Sequence, residues 1–190
     1  MTGNHYINGA PQSILATNFQ NATYSPYKNP PDAYMNYLGD FAATFITAQF
    51  PDLKAGSGYN FFAFPTLNAS FSGGVTGGAD VVTALKNTDA TKQFVKYLET
   101  AAAQEIWVKR GGFTSVNKSV NLSAYPNEVA QNSAKMLISA ETFRFGAGDL
   151  MPSQVQQAFW KGMLTFIGDT GQLDSVLSTI ESTASQAYGS

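Results

Sequence analysis

Apolar residues recur at helical spacing through most of the second half of the chain, and more loosely in the first. Residues 1–33 carry no sustained period and read as irregular, with Asn, Pro and Gly recurring up to Pro30-Pro31. Tyr34, Leu38, Phe41, Phe45 and Ile46 predict helix over 32–50, interrupted at Gly39-Asp40 and stopped by Pro51. The aromatic run 59–66, closed by Pro65, reads as a strand. Residues 71–78 read as a glycine-rich turn, and 79–85 as a second strand.

From residue 88 the pattern turns helical. Thr88 or Asp89 caps a helix expected to bury Phe94, Val95 and Leu98. A second helix carries Ala101, Ile106, Trp107 and Val108 and ends at Gly111-Gly112 in a left-handed stop. Residues 113–126 form a loop, 127–142 a helix and 143–151 a glycine-broken loop. Pro152 opens a helix reaching Gly168. Gln172 to Tyr188 is the last helix, with Leu173, Val176, Leu177 and Ile180 on one face. Two strands do not make a self-sufficient sheet, so this series of elements reads as incomplete.

Composition narrows the function classes. In 190 residues, 44% are hydrophobic, enough for a core, while 13% are charged, so Asn, Gln, Ser and Thr must solvate the surface. The net charge of −2, with no basic block, argues against nucleic acid and against a polybasic membrane patch. The absence of cysteine removes disulfides, thiolate metal sites and thiol nucleophiles. Apolar runs such as Phe61-Phe62-Ala63-Phe64 are too short to cross a bilayer. The first residues lack the charged start and apolar core of a signal peptide, so an export address is expected to be removed or to lie outside this chain.

The case for catalysis is weak. His5, the sole histidine, lies in the irregular N-terminal stretch, a poor place to hold a base. The acids lack EF-hand spacing, so no metal or other cofactor is expected. Asp40, Asp80 and Asp149 each follow Gly or Ala in turn-like contexts, where a capping role competes with a paired-carboxylate one. Gly73-Gly74-Val75-Thr76-Gly77-Gly78 lacks the Lys-Ser/Thr ending of a phosphate loop. Aromatics are the stronger signal, at 13% of the chain. Rings at loops and helix starts, beside acids and amides, suit the apolar face and hydroxyls of a sugar. Trp160 and Phe41 hold such positions, and core packing is the alternative for each.

These motifs together resemble the C-terminal portion of an extracellular solute-binding protein of a sugar ABC transporter, in the α-glucoside and oligosaccharide branch. The residues are Tyr37-Leu38-Gly39-Asp40-Phe41, Tyr59-Asn60-Phe61-Phe62-Ala63-Phe64-Pro65 and Gly77-Gly78-Ala79-Asp80. Phe94-Val95-Lys96-Tyr97-Leu98, Gln104-Glu105-Ile106-Trp107, and Gly111-Gly112-Phe113 with Asn117-Lys118 follow. Asp149-Leu150-Met151-Pro152, Ala158-Phe159-Trp160 and Leu173-Asp174-Ser175-Val176-Leu177 complete the series. The resemblance implies a helix-rich α/β fold, part of the type II periplasmic-binding-protein architecture of two lobes around a sugar cleft. It implies that 34–72 belongs to the C-terminal lobe and that 73–87 is a hinge crossing. It places 88–148 with the N-terminal lobe and returns 149–190 to the C-terminal lobe.

By the same resemblance, Trp160 and Phe41 are sugar-stacking positions, and Asp80 follows the hinge glycines where relatives place polar ligands. Ala79 stands where many relatives carry Trp, which leaves the sugar type open. Asp40, Arg110 and Asp149 complete the candidate sugar contacts, each with a structural reading beside it. The implied partners are a sugar and the permease subunits, in an extracellular or periplasmic setting where relatives are membrane-associated lipoproteins. Self-association of a partial fold is also expected. The competing readings are a carbohydrate-active hydrolase using paired carboxylates, and a truncated chain that binds nothing.

Overall fold

The computed structural model describes residues 9–189. Among them the helices in chain order are α1 (Pro11–Ala16), α2 (Phe19–Tyr24), α3 (Ala42–Gln49), α4 (Asp89–Leu98) and α5 (Ala101–Arg110). They continue with α6 (Glu128–Ser139), α7 (Ala147–Leu150), α8 (Ser153–Gly168) and α9 (Leu173–Tyr188). Two short strands, β1 (Gly74–Gly77) and β2 (Thr142–Phe145), pair in one small sheet. The chain is therefore helix-rich with little sheet. It divides into two compact units, Tyr37–Arg144 and the residues on either side of that span.

The Tyr37–Arg144 unit has its core at the α5–α6 region. Val108, Val120, Tyr125 and Ala134 are buried against one another, with Phe113, Leu122 and Ala130 packed around them. Fully burying side chains of this size contributes about 1.5–3 kcal/mol each. Polar residues close the chain around this core. Thr88, Thr100 and Asn127 cap α4, α5 and α6, accepting from the N–H groups of Thr91, Ala103 and Ala130. Such caps contribute about 1 kcal/mol each, because they satisfy amides that have no intrahelical acceptor.

A buried network ties the loop after α5 to both helices. Ser115 Oγ donates to Gln104 Oε1, and the Ser115 N–H donates to the Tyr125 hydroxyl at 3.0 Å. Gln104 Nε2 donates to the Leu98 carbonyl at 3.3 Å, and Asn117 Nδ2 to the Glu99 carbonyl at 2.7 Å. A glutamine buried at an interior helical position is tolerated because these partners replace water.

Several expected elements differ. Residues 59–66 are not a strand. Tyr59 makes an isolated bridge with Ala55, and Asn60 Oδ1 accepts from the Phe61 N–H at 2.9 Å, so the backbone bonds locally. The run beyond it is exposed and has no ladder partner among the described residues. Residues 79–85 are likewise exposed coil. The strands form instead at Gly74–Gly77, read as a turn, and Thr142–Phe145, read as the end of a helix and the start of a loop, and the rest of that loop holds α7. Gly77 suits that pairing, since a Cβ there would lie 3.0 Å from the Phe143 ring.

Residues 32–41 do not join α3, which begins only at Ala42. Phe94 is 58% exposed on α4 rather than buried, and Ile106 and Trp107 are exposed on α5. Gly111 ends α5 at φ 86°, ψ 165°, an extended glycine conformation rather than the left-handed helical one expected. The residues before Asp32 are not wholly irregular, since α1 and α2 form there.

The other unit, among described residues, comprises 9–36 and 145–189 and is built on the α8–α9 pair. Gly162 is a point of close approach. A Cβ there would lie 2.8 Å from Val176 Cγ1 and 3.1 Å from Ile180 Cδ1, so the helices meet because that position has no side chain. Val155 and Val176 are buried. Leu173 and Leu177, expected on the same buried face, are exposed, so only half of the apolar stripe of α9 is covered by α8.

Candidate functional site

The candidate residues fall in both units, and each unit arranges its own. In the α8–α9 unit, Trp160 lies in the second turn of α8 and is 54% exposed. Among the described residues the indole is thus not packed into a core. A large apolar ring held on a rigid helix yet open to solvent is what stacking on a ligand requires. The turn beside it is fixed from α8 itself, where Gln156 Nε2 donates to the Gly148 carbonyl at 2.7 Å. Gly148 lies against the indole, and a Cβ added there would stand 3.9 Å from Trp160 Nε1. Asp149 follows Gly148 in α7 and is exposed, with its carboxylate turned back toward Gly146. The structure thus brings the turn carrying Asp149 beside Trp160.

In the Tyr37–Arg144 unit, Phe41 is 43% exposed at the N-terminal boundary of α3. Its ring meets Phe45 edge-on, with centroids 6.1 Å apart and planes at 78°. Asp40, the preceding residue, is not an unengaged acid. Its Oδ2 accepts from Thr114 Oγ1 at 2.5 Å and from Ser133 Oγ at 2.7 Å. Asp80 is exposed in coil three residues beyond the end of β1. Arg110 is exposed in the last turn of α5, where the helix carbonyls favour a cation whether or not a ligand is present.

Sequence reasoning missed Thr114 and Ser133, which lie 74 and 93 positions from Asp40. No local motif signals a contact at that separation. Gln156, in the first turn of α8 and eight residues from Gly148 in α7, was equally silent.

No group of acids or histidines able to hold a metal occurs among the described residues. His5 lies outside the described residues. Two shallow surface depressions, one at Lys86, Asn87 and Lys92 and one at Glu99, Val116 and Asn117, include none of the candidate residues. Among the described residues, no helix is long and apolar enough to cross a membrane.

Comparison with known proteins points to one class, the solute-binding proteins. The chain is 31% identical over 173 residues to the alpha-glucosides-binding periplasmic protein AglE of Rhizobium meliloti, an alignment covering 89% of this chain and 37% of that one. It is 28% identical over 176 residues to the osmoprotective compounds-binding protein GgtB of Synechocystis, covering 92% of this chain and 41% of that one. The chain therefore spans about two fifths of the length of the curated relatives it matches. No family model and no solved structure matches it. The resemblance to part of a solute-binding protein stands on these relatives. Both are binding proteins rather than enzymes, in keeping with the expectation of no catalysis.

Proposed function

We propose that this chain is part of the solute-binding component of an ABC transporter, with an oligosaccharide of the α-glucoside type as its ligand. The observation that carries the reading is the similarity to an alpha-glucosides-binding protein along 89% of the chain. Exposed aromatic side chains at a helix start and on a helix face supply the matching chemistry. In this reading Trp160 stacks on a sugar ring, and Phe41 is a second platform. Asp80 and Asp149 accept from hydroxyls, and Arg110 donates to a ring or glycosidic oxygen. The type II two-lobed architecture, with 73–87 as the crossing, belongs to the same proposal. So do a periplasmic or extracellular setting and delivery of the ligand to a permease.

The second relative favours a variant reading, in which the ligand is a small osmoprotective compound. Calorimetry with maltose and with glycine betaine separates the two, because betaine has no hydroxyls and maltose is an α-glucoside. Saturable binding of maltose supports the first reading. Trp160→Ala should then weaken that binding by about 2 kcal/mol, roughly thirtyfold, as loss of an anchoring aromatic does. Unchanged affinity in Trp160→Ala with a lowered melting temperature would remove Trp160 from the site. Hydrolysis of the sugar during the titration would reinstate the enzyme reading.

A further inference from the structure

We propose that Asp40 is a positioning residue for the Phe41 ring and does not itself contact ligand. The inference rests on the reading of Phe41 as a sugar platform and changes the role of its neighbour. Three features converge on this short stretch. Asp40 Oδ2 takes two hydroxyl donors, Thr114 from the loop after α5 and Ser133 from α6. Ser133 is buried, so turning the carboxylate toward a ligand would strand a donor that has lost its water. The α3 start is also held through its backbone. The Phe41 carbonyl accepts from the Thr44 hydroxyl at 2.6 Å, and the Asp40 carbonyl from the Ala43 N–H at 3.2 Å.

The second feature is the close approach of α3 to the loop carrying Thr114. Gly112 has φ +72°, and a Cβ there would fall 2.3 Å from Thr44 Cγ2. Only glycine allows both the conformation and the contact. The third is the seat of the ring itself. A Cβ on Gly39 would lie 2.7 Å from Phe41 Cε1, so the ring folds back over a backbone with no side chain, and Phe45 meets it edge-on. The carboxylate thus fixes the backbone turn from which the ring projects. An aromatic platform presented at a set angle binds with less ordering cost than a loose one.

The test uses the full chain labelled with 4-fluorophenylalanine, with the Phe41 fluorine signal assigned by Phe41→Leu and maltose binding measured by calorimetry. Asp40→Ala and the double variant Thr114→Val/Ser133→Ala should each move and broaden the Phe41 signal. Each should weaken maltose binding by the same factor, about tenfold. Asp40→Asn keeps an oxygen for both hydroxyls and should restore most of the signal and the affinity. In the Phe41→Leu background, Asp40→Ala should cost no further affinity.

The proposal is overturned by an unmoved Phe41 signal in Asp40→Ala, or by Asp40→Asn as damaging as alanine. It is equally overturned by an affinity loss that persists without Phe41, which would mark Asp40 as a ligand contact. If Asp40→Ala does not fold, the double variant, which retains the carboxylate, decides the matter. Absence of maltose binding in the unaltered chain would count against the α-glucoside reading alone, and the fluorine signal would still decide the positioning role.

Discussion

Residues 101–140 and residues 60–85 lie in the same compact unit, and both are rich in apolar side chains. The first region closes on itself, with Val108 at 0% exposure and Val120, Tyr125 and Ala134 around it. In the second, Phe62 is 69% exposed and Leu67, Val81 and Leu85 more so. Hydrophobicity does not distinguish them. What distinguishes them is where the backbone hydrogen bonds go. In 101–140, Asn117, Asn121 and Asn127 each accept a local N–H, and helices satisfy most of the rest. In 60–85, outside one helical turn at Ala69–Phe71 and the short strand β1, the backbone takes up no regular hydrogen-bonded structure among the described residues. Most large apolar side chains there stay open to solvent, although Phe64 meets Tyr37 edge-on.

The sharpest way to break this contrast is to place the same charge in each region. Val108→Asp puts an unpaired carboxylate in a fully buried site. It should cost more than about 4 kcal/mol and abolish the cooperative urea transition followed by circular dichroism. Phe62→Asp should leave that transition within about 0.5 kcal/mol of its unaltered position. The same exchange should lower light scattering at high protein concentration, because exposed aromatics favour self-association. A large stability loss in Phe62→Asp would show that the 60–85 segment is packed.

The contrast also marks where the sequence was legible. Helices from residue 88 onward were, because period, caps and stops agreed. Thr88 caps α4, α5 stops at Gly111 though not in the left-handed helical conformation, and Ser153–Gly168 follows Pro152 as expected, while the short α7 forms within the predicted loop. The strands were not, because strand formation depends on a partner distant in sequence. The aromatic run 59–66 has the composition of a strand but, beyond the bridge at Tyr59, no partner among the described residues, whereas Gly74–Gly77 has poor strand composition and pairs with Thr142–Phe145. Of the candidate site, the exposed aromatics could be picked from the sequence. The bonds from Thr114 and Ser133 to Asp40 could not, since they depend on the folded path of the chain.

A second, smaller effect tests whether polar groups hold the closed region together. Tyr125→Phe keeps the buried ring and removes only the oxygen that accepts from the Ser115 N–H. That amide is buried, so the variant should lose about 1–3 kcal/mol in urea unfolding. Tyr37→Phe, on an exposed ring that packs edge-on against Phe64 at 5.5 Å, should lose almost nothing. Equal losses in the two variants would mean that the apolar contacts alone define the core.

The smallest effect lies at the seam between the two regions, at Tyr59. Its phenol is raised above the ordinary value of 10.0, chiefly because burial disfavours the phenolate, while a hydrogen bond from the Asn127 side chain acts in the opposite sense. Burial prevails, so the folded state holds the phenolic proton more tightly than the unfolded chain does. The linked stability is then fully present below pH 10.0 and is lost as pH rises from there through the higher folded value. Asn127 also caps α6, so ionisation at Tyr59 would disturb the start of the helix that carries Ser133 and Ala134. Melting temperature measured between pH 8 and pH 11 should stay level and then fall, and Tyr59→Phe should flatten the part of the fall that begins above pH 10. An equally steep decline in Tyr59→Phe would assign the alkaline loss to other groups and leave residues 55–59 without a role in anchoring the exposed segment to the core.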